Sequence, residues 1–155
     1  LVSKKASVNG ISFVQKKAGD SLFVFADPGQ LQQVLLNLIN NAMDAVMEKH
    51  GIEGGRVEIE AKKQSDEMIE VSVKDNGTGI SSENTKRVFT PFFTTKPVGK
   101  GTGLGLSVCY GIIESMGGKM KFSSKAGEGC VFTLLLPTKE ISGKTDGLNE
   151  GEENA

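Results

Sequence analysis

The chain has 155 residues, 37% of them apolar and 24% charged, with 18 basic and 19 acidic side chains and a formal net charge of −1. That is long enough for one domain with its own core, and no basic excess or polybasic run selects nucleic acid or an anionic membrane as partner. No apolar run nears the roughly 20 residues of a membrane-spanning helix, and neither an initiator Met nor a signal-peptide pattern opens the chain, so it reads as a piece of a longer protein, while reduced thiols at its two cysteines would fit a cytoplasmic setting.

Residues 1–9 read as a linker from an upstream domain. Residues 11–14 and 22–26 are expected to be short strands around the turn-like Lys17-Ala18-Gly19-Asp20. Asp27-Pro28 predicts a helix start, and Leu31, Val34, Leu35, Leu38, Ala42, Ala45 and Val46 then recur at helical spacing until Gly51. Residues 56–61 and 68–74 alternate in polarity and predict an antiparallel pair. From Asp75 the chain is rich in Gly and Thr until a second predicted helix, residues 104–116, which Gly117-Gly118 stops. Residues 119–123 and 130–136 read as a closing strand pair. Residues 138–155 are acidic and nearly without aliphatics, the composition of a disordered tail or linker. The predicted fold class is α+β: a two-layer sandwich whose mixed, mainly antiparallel sheet is covered on one face by helices. Cys109 and Cys130 lie in apolar runs without metal-ligand spacing and read as buried, reduced thiols.

Three constellations carry chemistry. On the first helix, Asn37, Asn41, Asp44 and Glu48 fall on one narrow face. A polar stripe is ordinarily a solvated face. Asn is a mediocre helix former, however, and Asn37, Asn40 and Asn41 crowd together mid-helix. An amide oxygen is a neutral ligand that suits Mg²⁺ when phosphates meet most of its charge. The second constellation, Asp75-Asn76-Gly77-Thr78-Gly79-Ile80, directly follows a predicted strand. Its composition is that of a turn; alternatively it holds a carboxylate at a pocket floor, facing an exocyclic amine such as adenine's.

The third is Gly99-Lys100-Gly101-Thr102-Gly103-Leu104-Gly105-Leu106, which opens the second helix. Free amides and the helix dipole favour phosphate there, and Lys96 and Lys100 add positive charge. It is neither a P-loop, since no Lys-Ser/Thr follows its last glycine, nor a dinucleotide fingerprint, since a Thr/Pro loop precedes it. The alternative is a flexible surface loop. Before it, Phe89-Thr90-Pro91-Phe92-Phe93-Thr94-Thr95-Lys96 sets three phenylalanines among polar residues, to plug the core or to dock on another surface.

In this order the motifs resemble the GHKL superfamily (gyrase, heat-shock chaperone, histidine kinase, MutL) and its Bergerat nucleotide pocket, over about residues 27–137. Asn37 to Ala42 is similar to the kinase N box, Asp75 to Gly79 to the first glycine box, Phe89 to Phe93 to the F box, and Gly101 to Gly105 to the second glycine box. The compact run from Phe92 to Leu106 resembles the nitrogen-regulation type of histidine kinase. The resemblance implies that residues 10–137 form a catalytic domain that binds Mg-ATP. It would pass the γ-phosphate to a histidine on a separate dimerisation and phosphoacceptor domain of the same kinase, with a response regulator downstream. It further implies Asn41 as the Mg²⁺ ligand with Asn37 beside it in catalysis, Asp75 on the adenine amine, and Gly77 and Gly79 along the base. Gly101, Gly103 and Gly105 would surround the phosphates. Asp44, Ala45, Ile80, Thr94, Thr95, Lys96, Lys100, Thr102, Leu104 and Leu106 would be further nucleotide contacts, with residues 81–102 a mobile lid from which Phe92 and Phe93 dock.

ATPases of this superfamily place a Glu one turn before the Mg²⁺-binding Asn as the base for water. Asn37 holds that position here and takes up no proton at neutral pH. The resemblance therefore favours transfer to histidine, with an ATP-hydrolysing machine and a non-catalytic nucleotide binder as the other readings. Members often carry Thr after the last glycine, where this chain has Cys130, a residue expected to pack rather than bind. His50 lacks the acidic neighbour of a phosphoacceptor box and is expected to serve the helix C-terminus.

Overall fold

The computed structural model describes residues 10–16, 19 and 21–140. The expected linker over 1–9, the tail from 141 and most of the turn at 17–20 lie outside the described residues. Among the described residues, five strands and three helices follow one another as β1 (Ser12–Lys16), α1 (Pro28–His50), β2 (Arg56–Lys63), β3 (Met68–Asp75), α2 (Ser82–Thr85), α3 (Gly105–Ser115), β4 (Lys119–Lys125) and β5 (Gly129–Pro137).

The 23 residues of α1 begin where Asp27 accepts a hydrogen bond from the Gln30 N–H at 2.7 Å, with Pro28 in the first turn. Gly51, at φ 64°, ends the helix. Its buried side is wider than the spacing predicted, because Ile39 and Met43 are covered along with Val34, Leu38, Ala42 and Val46. The helix packs against both the sheet and α3, so one narrow stripe does not suffice.

The sheet runs β1-β2-β3-β5-β4, with β1 parallel to β2 and the other neighbours antiparallel. Side chains alternate between faces, so register decides which meet the helices. Ile59, Val73, Phe132 and Phe122 form one row across β2, β3, β5 and β4 on the helix side. The opposite face of β2 and β3 carries Glu58, Lys62 and Glu70, with Lys16–Glu58 at 2.7 Å and Lys62–Glu70 at 3.0 Å. Such exposed pairs add little stability, but they keep that face in water.

Residues 22–26 do not form the predicted strand. Phe25 donates one backbone bond to Pro137 O at 2.7 Å, and a single bond at the end of β5 makes no ladder. The alternation that suggested a strand has another use: Val24 packs on the core while Phe23 and Phe25 face out. Smaller differences lie at boundaries, where β1 starts at Ser12 and β3 extends to Asp75. The single-turn helix α2 is too short to leave a periodic signal.

Cys109 and Cys130 are 1% and 6% exposed, and burial pushes the Cys109 thiol up to about 11 and raises that of Cys130 as well. Only the thiolate is nucleophilic. Neither cysteine should react with iodoacetamide in the native protein at pH 8, and both should react once it is unfolded in guanidinium. Native-state alkylation at either position, read by peptide mass, would contradict this.

Candidate functional site

The inner wall of α1, the turn after β3, the segment between α2 and α3, and the N-terminus of α3 enclose a cavity of about 1030 Å³. Small-molecule and cofactor sites span roughly 300–1,000 Å³, so this one has room for a nucleotide.

One end is built around Asp75, the last residue of β3 and 5% exposed. Its Oδ1 accepts the Gly77 N–H at 2.8 Å and the Cys130 N–H at 3.3 Å. Among the described residues Oδ2 has no partner, and Asp75 lies on the cavity wall. Burial raises its pKa, and the two backbone donors and the charge of Lys49 only partly oppose that. The result is a carboxylate with one oxygen anchored and one available to a donor entering the cavity.

The turns around Asp75 are held from below by α1. Lys49 Nζ donates to Asn76 O at 3.1 Å and to Gly127 O at 2.6 Å, and His50 Nε2 lies 2.8 Å from Asn76 O. His50 thus serves the turn after β3, reaching beyond its own helix terminus.

The other end is where α3 begins. Its N-cap, Leu104, makes no side-chain capping bond, so the first amides of the helix stay available to an anion. Gly105 sits directly over α1: a Cβ there would lie 2.5 Å from Asn37 Nδ2. Asn41 Nδ2 donates to Asn37 Oδ1 at 3.0 Å. Asn41 Oδ1 faces Lys96 Nζ at 3.4 Å, and the same ammonium pairs with Asp44 at 2.7 Å. The amide oxygen expected to meet a metal already meets a cation. Among the described residues no group of three or more His, Cys, Asp or Glu could cage a bare ion. A divalent ion at Asn41 would therefore draw most of its oxygens from a ligand's phosphates, which fits Mg²⁺ carried in with a nucleotide.

Of the residues singled out in the sequence, Asn37, Asn41, Asp44, Ala45, Asp75, Gly79, Ile80, Thr94, Thr95, Lys96, Lys100, Gly101, Thr102, Gly103, Gly105 and Leu106 line this cavity. Gly77 and Leu104 do not. A Cβ on Gly77 would meet the Ala45 backbone at 2.5 Å, so its lack of a side chain serves the contact with α1. Ser81, Asn84, Val88 and Phe132 line the cavity without having been singled out, and Cys130 joins them while also packing. Only the polar run Ser81 to Asn84 hinted at the first two.

The three phenylalanines divide. Phe89 packs on Tyr110 and edge-on to Phe122, with centroids 5.1 and 6.0 Å apart, and Val88 beside it is buried. Phe93 is half-buried with the Arg87 guanidinium 4.7 Å from its ring, so the expected exposure of both Phe92 and Phe93 holds for Phe92 alone, at 75%. The segment expected as a lid is thus pinned to the core at Val88 and Phe89.

A buried carboxylate at one end and an uncapped helix N-terminus facing paired amides at the other define a nucleotide-site architecture. Comparison with known proteins agrees. The family model described as histidine kinase-, DNA gyrase B-, and HSP90-like ATPase matches residues 26–140, and the chain belongs to that family. Within it, the chain groups with the protein histidine kinases. It is 45% identical over 112 residues to the sensor histidine kinase ZraS of Salmonella typhimurium, covering 72% of this chain and 23% of that protein. The chain spans between 12% and 28% of the length of such curated relatives. The nucleotide-free catalytic domain of histidine kinase ThkA superposes with a TM-score of 0.74 at 35% identity, covering 88% of this chain and 86% of that one. A second ThkA structure, in complex with the response regulator TrrA, gives 0.71 at 32% identity, covering 89% and 37%. Full-length ShkA in complex with AMPPNP gives 0.75 at 27% identity, covering 90% and 28%.

Proposed function

We propose that residues 10–137 bind Mg-ATP and transfer its γ-phosphate to a histidine on a separate dimerisation and phosphoacceptor domain of the same kinase, in cytoplasmic two-component signalling. The observation that carries this reading is the Asn37–Asn41 pair beneath the start of α3. An amide stands where a hydrolase needs a carboxylate base, and the carboxylates Asp44 and Glu48 lie about 10 and 16 Å further along the helix axis. A neutral imidazole is itself nucleophilic, so histidine needs no such base. Bound magnesium, held by Asn41 Oδ1, would offset phosphate charge. Asn37 orients Asn41, the α3 amides and Lys100 receive phosphate oxygens, and Asp75 receives the adenine amine. The AMPPNP complex of ShkA supports the nucleotide, and the complex of ThkA with TrrA supports a response regulator as downstream partner. The lid sequence from Phe92 to Leu106 supports the nitrogen-regulation subtype.

Calorimetric titration tests the reading. Mg-ATP should bind at least about tenfold more tightly than Mg-GTP, because guanine sets a carbonyl oxygen where adenine has its amine, against the Asp75 carboxylate. Equal affinities would overturn the assignment. Sustained ATP turnover by the lone domain would favour a hydrolase.

A further inference from the structure

The hydroxyl of Ser124 stands behind the Asp75 end of the cavity and makes as many hydrogen bonds as a hydroxyl can. It accepts the Ile80 N–H at 2.8 Å, accepts the Cys130 S–H at 3.0 Å, and donates to Gly129 O at 2.9 Å. One donor and two lone pairs are all in use. Ser124 pairs with Cys130 in the β4–β5 register, and Cys130 in turn donates its N–H to Asp75.

The carbonyl of Gly129 and the N–H of Cys130 belong to one planar peptide group and point in opposite directions. Fixing the oxygen on Ser124 therefore aims the N–H at Asp75 Oδ1. This peptide opens β5, where Gly129 is the register partner of Lys125, is at φ +106°, and lies so close to the Asp75 carbonyl oxygen that a Cβ there would overlap it. The bond that the Cys130 N–H donates to Asp75 Oδ1 is long at 3.3 Å, so a small rotation would break it. The same hydroxyl fixes Ile80, which follows Gly79 on the cavity wall.

We infer that Ser124 is a positioning residue for recognition of the base: it holds the Gly129–Cys130 peptide and the Ile80 amide so that Asp75 keeps one oxygen anchored and one aimed at the purine 6-amino group. This rests on the adenine reading of the site given above. Ser124 itself does not touch the base.

The test compares affinity for ATP with that for purine riboside triphosphate, which lacks only the 6-amino group, each measured by calorimetry on the whole chain with Mg²⁺. The wild-type ratio reports the contact to Asp75. Ser124→Ala should reduce that ratio by about three- to tenfold, the worth of one neutral hydrogen bond, while affinity for purine riboside triphosphate stays within about twofold. Ser124→Thr, which keeps the hydroxyl, should retain the wild-type ratio. Ser124→Cys, a weaker acceptor of the same shape, supplies the reading if the alanine variant loses its fold. An unchanged ratio in Ser124→Ala, or parallel loss of both affinities, would overturn the inference. A wild type that does not distinguish the two nucleotides would instead refute the adenine reading.

Discussion

Asp75→Asn should lower affinity for ATP about 10- to 150-fold while leaving the nucleotide-free fold at least as stable. A hydrogen bond to a charged acceptor is worth about 1.5–3 kcal/mol, and each 1.4 kcal/mol is a factor of ten. The surroundings decide how the new amide turns. Two backbone N–H groups converge on Oδ1, so the asparagine oxygen must stay there and the NH₂ must take the place of Oδ2. It then presents a donor to the adenine amine, itself a donor.

Stability should move the other way. Burial raises the pKa of Asp75, so its contribution to the empty fold is complete below the pKa of an unfolded aspartate and is lost as pH rises through the folded value. Asparagine has no such loss, and the variant's advantage in melting temperature should grow from acid to neutral pH. A variant that binds ATP normally, or one that loses binding only because it unfolds at neutral pH, would count against this account.

Labelled Mg-ATP alone should leave no phosphohistidine on this domain, and the separate phosphoacceptor domain of its kinase should become labelled when added. The one histidine of the chain, His50, is 13 residues along α1 from Asn37, about 20 Å by helical rise. It lies past the Asp75 end, away from the phosphate end, with Nε2 against Asn76 O at 2.8 Å. His50→Ala should thus leave transfer to the added domain intact within a few-fold. Phe92, exposed in the segment between α2 and α3, is a side chain open to docking, and Phe92→Ala should lower transfer more than ATP affinity. Acid-labile label on the domain that disappears in His50→Ala would place the acceptor within this chain after all.

Local order was enough to find most of this architecture. The apolar spacing from Leu31 to Val46 set α1, the polarity alternation set the β2–β3 and β4–β5 pairs, and Asp75 after a strand and glycines before a helix marked both ends of the cavity. Those signals depend on neighbours within a few positions, which is the range that periodicity and capping report. Residues 22–26 alternate as a strand does, yet whether a strand forms depends on a partner to pair with, and among the described residues the segment makes a single backbone bond, from Phe25 to the end of β5. Gly77 read as lining a base, and only the approach of Ala45 shows what its missing side chain makes room for. Ser124 gave no signal at all. Its bond to Ile80 spans 44 residues, and the bond from Cys130 to Asp75 spans 55. Contacts of that separation are created by strand register, where a slip of one residue turns every side chain to the other face, and register exists only once the sheet has formed.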